Sequence, residues 1–244
     1  MKPWKIMVLM TLPVLLFAAW RIWSIYQERH EPVIVKQGPP EHKITQDDLV
    51  IPRKMYIDDL KSAKELDGKT VWMQAGYQLD YYPYRAHSAV FRDKKGPLPT
   101  AQELSVVDVV ELATPANWTS RIPRGSKNIF VIFRKPGDPQ EYAVPMGEVE
   151  GGNETFRLDD LLYYDDPHRL YSYWPTNVWQ AIDQHQVKPG MSELQTMMAV
   201  GQVAQSDSSN YGNRTVTYTA GDRKITVTFA NDKATQVQEA GGHA

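Results

Sequence analysis

The longest apolar pattern in the chain lies at its start. An uncharged run at 6–20, IMVLMTLPVLLFAAW, is interrupted by Arg21 and extended by Ile22, Trp23, Ile25 and Tyr26. A helix over 6–25 would span about 30 Å at about 1.5 Å per residue, the thickness of a bilayer's hydrocarbon core. Arg21 is close enough to the end to reach the interface, where Trp20, Trp23 and Tyr26 are also favoured. Lys2 and Lys5 keep the N-terminus on the cytoplasmic side. The pattern predicts a single-pass signal anchor, the membrane being engaged through residues 6–25. The rest of the chain would then lie in the periplasm of a bacterial envelope. A cleaved signal peptide is the rival reading. It is disfavoured because cuts after Ala18 or Ala19 place Leu16 or Phe17 at the −3 position.

The remaining pattern is mixed. Residues 27–53 read as a proline- and charge-rich linker. Met55, Leu60, Ala63 and Leu66 suggest a short helix ending at Gly68. Strand patterns follow at 70–75, 89–92, 104–112, 129–133 and 141–144, the fourth continuously apolar and so central. Five short strands within 54–154 predict a small antiparallel β-barrel of the SH3 or OB kind. Residues 155–174 hold six aromatics and the Asp166-Pro167 break, and read as a connector.

The last third is clearer. A helix opens near Pro175 and places Val178, Ile182 and His185 on one face. Ser192 and Gln195 form a capping-box pattern that starts a second helix, and Gly201 closes it. A polar loop at 205–212 precedes strands at 214–219, 224–230 and 234–238. The fold class expected is α+β: a transmembrane helix, a β-barrel, and an αα-βββ two-layer domain over 175–238, with a tail at 239–244.

This last domain carries Val187, Gly190-Met191-Ser192, Gln195, Gly201, Tyr218, Val227, Phe229, Asn231, Lys233 and Val237. At these positions it resembles the αα-βββ domain of the BamE (SmpA/OmlA) type of outer-membrane assembly lipoproteins. The resemblance spans about residues 178–238. It implies a non-catalytic module that docks on other envelope proteins. The chain departs from that family in having no cysteine for an acyl anchor and no proline after Gly201.

Charge divides the chain. Residues 1–30 hold Lys2, Lys5, Arg21 and Arg29 against Glu28, whereas the rest hold 23 basic and 28 acidic side chains. An acidic body argues against nucleic acid as a partner. The absence of cysteine removes disulfides, thiolate metal sites and a cysteine nucleophile. No two of the six histidines stand within five residues of each other, so no local zinc pair exists. Phosphate-loop and serine-hydrolase motifs are missing as well. No catalytic, metal or cofactor residue is therefore assigned.

The acid pairs Asp58-Asp59, Asp159-Asp160 and Asp165-Asp166 read as helix-end and loop charges. A carboxylate-based hydrolase would need acids such as Asp108 or Asp159 to meet across the fold. The strongest binding candidates are aromatic: Tyr77, Tyr81, Tyr82 and Tyr84 in one loop, with Trp174 in the connector. Such side chains bind extended peptides or stack on sugars. The expected function is binding or scaffolding with an envelope protein partner. A cell-wall glycan or peptide ligand for the tyrosines is the alternative.

Overall fold

The computed structural model describes residues 16–26 and 44–240. The chain divides into two compact units, 1–41 and 42–244. In the first, residues 16–26 form a helix, α1, whose Leu16, Phe17, Trp20, Ile22 and Trp23 are exposed. Eleven residues make about 16 Å of helix, half of what a bilayer requires. No helix among the described residues is long and apolar enough to cross a membrane. This overturns the expected transmembrane helix and signal anchor, and the single-pass inner-membrane placement falls with it. An apolar run sets only how much hydrocarbon is available. The described helix also carries Arg21 and Ser24 within its length. The remaining stretches assigned to the span and the linker, 6–15 and 27–43, lie outside the described residues.

The second unit is dominated by sheet. Its first sheet holds β1 (Thr70–Met73), β2 (Tyr82–Arg85), β3 (Ser88–Ala89), β4 (Glu103–Leu112), β5 (Lys127–Arg134), β6 (Tyr142–Glu150), β7 (Asn153–Phe156) and β8 (Leu162–Tyr163). The order is β3-β2-β6-β5-β4-β1-β8, with β7 also beside β6 and every pairing antiparallel. This corrects the five-stranded barrel. There are eight strands, and their path has two ends, β3 and β8, that are not paired to each other. Residues Ile129 to Phe133 of β5 are all buried, as an unbroken apolar run at the centre of a sheet requires.

The strands that the sequence pattern misses have physical causes. Pro83 argues against a strand at 82–85. The structure accommodates it by using only its carbonyl, which accepts from the Val90 amide at 2.8 Å. In the connector, α3 (Leu158–Leu161) is a single turn. The chain then extends into β8, pairing Tyr163 with Trp72 and Leu162 with Met73.

Downstream, α4 (Pro167–Leu170), α5 (Thr176–Asp183) and α6 (Glu193–Val200) precede β9 (Val203–Ser206), β10 (Thr215–Ala220), β11 (Arg223–Ala230) and β12 (Lys233–Ala240). The second sheet has four strands in the order β12-β11-β10-β9, not the three expected. β9 takes the start of what reads as a polar loop. Its last three residues are exposed, so no alternation marks it. Backbone pairing with β10 selects it instead.

The capping box of α6 is complete. The Ser192 hydroxyl accepts from the Gln195 amide at 3.1 Å, and the Gln195 side chain accepts from the Ser192 amide at 2.9 Å. One apolar core lies around β4, β5 and β6. The second gathers Trp179, Ile182 and Met198 of the helices against Val216, Tyr218 and Val227 of the sheet. Trp72 and Tyr163, paired in the first sheet, pack into the second core. At the same junction Gly201, with φ +88°, leaves no room for a Cβ, which would stand 2.8 Å from the Gly76 carbonyl oxygen.

Candidate functional sites

The five aromatic candidates do not form one surface. Tyr77 turns toward the second core, meeting the His185 ring edge-on at 6.0 Å. Burial raises the pKa of its hydroxyl. Tyr81 packs on Tyr142 at 5.1 Å, and its hydroxyl accepts from Lys135 at 3.2 Å. Tyr82 is buried and accepts from the Trp118 indole at 3.1 Å. Tyr84 is half-buried on β2. Trp174 stacks on Tyr171 at 4.4 Å and gives its indole N–H to Asp47 at 2.8 Å. Four of the five therefore serve packing. Tyr82 also lines an open cleft.

Trp174 instead anchors a strap. Residues 44–57 are bound to the body at three places. Asp47 accepts from the Tyr173 hydroxyl at 2.6 Å as well as from Trp174. Arg53 donates to the Tyr164 carbonyl at 3.1 Å and faces Asp165 at 3.4 Å. Asp159 accepts the consecutive amides of Met55 and Tyr56, each at 2.9 Å. Burial works to raise the pKa of Asp159, but these amide bonds, together with the neighbouring Tyr164 hydroxyl and Lys54, hold the group below its ordinary value. Tyr56 is thereby kept at φ +53°, a left-handed conformation costly for a bulky residue. The result is an outward display of apolar side chains: Ile44 is 78% exposed, Leu49 71%, Ile51 87% and Tyr56 78%. The sequence pattern places them in or beside a linker. The available signal was four large apolar residues isolated among prolines and charges.

A second feature is a cleft of about 320 Å³ beside β2. Tyr82, Phe91 and Trp118 form its aromatic side, and Asp80, Arg92, Lys94 and Asn117 line it with polar groups. Phe91 is half-buried, packing on Tyr82 at 5.2 Å and on Phe130 at 5.9 Å. Both walls are braced. The Lys95 amide donates to the Tyr81 carbonyl at 3.0 Å, and the Tyr81 amide to the Gly96 carbonyl at 3.1 Å. On the other side, the wholly buried Asn128 donates to the Pro123 and Gly147 carbonyls at 2.7 and 3.1 Å. Trp118 escapes sequence reasoning because it stands alone in a polar loop, and Phe91 because it reads only as part of the short strand pattern at 89–92.

A third cleft, at Thr45, Leu194 and Tyr211, is acidic. Its carboxylates are engaged by the fold: Asp47 as above, Asp48 by Thr45, and Asp232 by the Glu193 amide at 3.0 Å. Among the described residues no group of three or more His, Asp or Glu side chains is arranged to hold a metal. The acid pairs also have structural work. Asp59 caps α2 (Leu60–Ala63) and Asp166 caps α4. Asp108 pairs with Lys64. His168 bridges Asp166 at 3.1 Å and Asp183 at 3.2 Å while stacking on Trp179 at 4.1 Å. No protein-family model, no curated protein and no solved structure matches this chain.

Proposed function

We propose that the protein is a non-catalytic binding module that docks another protein through the strap at 44–57. The carrying observation is the display of Ile44, Leu49, Ile51 and Tyr56 on a segment held by Asp47, Arg53 and Asp159. Four large apolar side chains left in water are unfavourable. Burying each against a partner would contribute roughly 1.5–3 kcal/mol. Because the strap is already fixed, little ordering entropy is lost on docking. A partner of matching chemistry presents an apolar groove with a hydrogen-bond acceptor for the Tyr56 hydroxyl.

The resemblance of residues 178–238 to the BamE-type domain belongs to the same proposal, since it implies docking rather than catalysis. The test is co-purification of the full chain with its partner, compared with the Ile51→Asp/Tyr56→Asp variant. Both side chains are exposed, so the variant is expected to melt within a few degrees of wild type. It should lose the co-purifying protein. Retention of that protein by a folded variant would refute the reading.

A further inference from the structure

We propose that the cleft lined by Phe91, Arg92 and Trp118 binds an acidic saccharide. Its chemistry is mixed in a way that suits a sugar ring. The half-buried Phe91, packed on Tyr82 and edge-on against Trp118, gives the cleft an apolar aromatic lining suited to the C–H side of a pyranose. Asp80 and Asn117 stand on the cleft wall as partners for hydroxyl groups. The Tyr82 hydroxyl accepts from Trp118, and its own proton is given no acceptor among the described residues.

The charge around the cleft selects an anion. The two loops that build it, 90–97 and 113–126, hold Arg92, Lys94, Lys95, Arg121 and Arg124 against a single acid, Asp93. This basic concentration stands out in a body that is otherwise acidic. Lys94 and Lys95 are neutralised by Asp80 at 3.2 Å and Asp93 at 2.8 Å. Arg92 and Arg124 have no ion pair or hydrogen bond among the described residues. Arg92 lines the cleft, and its planar fork matches a carboxylate with two parallel hydrogen bonds. A nucleic acid would need a continuous basic track for its row of phosphates. Here the basic groups are confined to two loops and Asp80 and Asp93 lie among them, so a carboxylated sugar is the better fit. The bracing of both walls presents this arrangement before any ligand arrives.

The proposal is independent of the strap. The test titrates the full chain with oligogalacturonate, with a neutral cello-oligosaccharide and with a thymidine oligonucleotide, following binding by calorimetry and tryptophan fluorescence. Saturable binding is expected for oligogalacturonate, with the other two weaker by about tenfold or more. Arg92→Gln should weaken it by about tenfold with an unchanged melting midpoint; Phe91→Leu should weaken it by about tenfold while lowering the midpoint by a few degrees, since the ring packs on Tyr82 and Phe130; and Ile51→Asp/Tyr56→Asp should bind as wild type. Phe91→Leu keeps the position apolar while removing the ring. The proposal is overturned if wild type does not bind oligogalacturonate. It is equally overturned if the neutral sugar or the oligonucleotide binds as well, or if Arg92→Gln binds as wild type.

Discussion

At the scale of the residue, two carboxylates carry opposite signs. Burial raises the pKa of Asp232, whereas the Met55 and Tyr56 amides, with Tyr164 and Lys54, leave that of Asp159 lowered despite burial. A raised carboxylate pKa means that the ionised group opposes folding. The penalty is absent below the unfolded value, about 3.9, and complete above the folded one. Asp232→Asn keeps an acceptor for the Glu193 amide and tolerates the φ of +54° at this position. It should therefore be more stable than wild type at pH 7, and the gain should vanish in acid. A lowered pKa has the reverse effect: Asp159 stabilises above the unfolded value and less as pH falls through the folded one. Asp159→Asn should cost stability at pH 7 and progressively less toward pH 3, as read by urea unfolding at each pH. Local roles such as the Ser192 cap were legible in the sequence, since donor and acceptor are three residues apart. The role of Trp174 was not, because its acceptor, Asp47, lies 127 positions away.

At the scale of the element, legibility again follows locality. α6 announces itself by its capping box and by Gly201 at its end. β9 and β8 do not, because a strand of four or two residues without alternation exists only through its neighbour. Gly201 also does more than end a helix. Its φ is left-handed, and a side chain there would begin only 2.8 Å from the Gly76 carbonyl oxygen, so the two cores join at a point where only glycine fits. Gly201→Ala should destabilise the protein by about 1–3 kcal/mol, measured as a lowered denaturation midpoint. Gly221→Ala is the control: it shares a positive φ but meets nothing within 4 Å, so it should cost less.

At the scale of the whole molecule, the apolar run at the N-terminus suggests a compartment and the apolar–polar alternation suggests a barrel. The structure corrects both: no helix among the described residues is long and apolar enough to cross a membrane, and the first sheet has eight strands and two ends. The expected α+β division is overturned as well: among the described residues twelve strands in two antiparallel sheets dominate, and the helices are short. Single elements such as β5, α5 and α6 were legible because they carry strong local patterns. The strap was not, because its apolar residues have no period and its anchors come from the connector, about a hundred positions downstream. Its outward apolar display is the centre of the functional account, and photo-crosslinking in the cells that make the protein tests it most directly. A photo-reactive residue placed at 51 or 56 should give one discrete protein adduct, absent when the same residue replaces the exposed Gln236 of β12. No adduct at 51 and 56, or the same products from all three positions, would contradict the account.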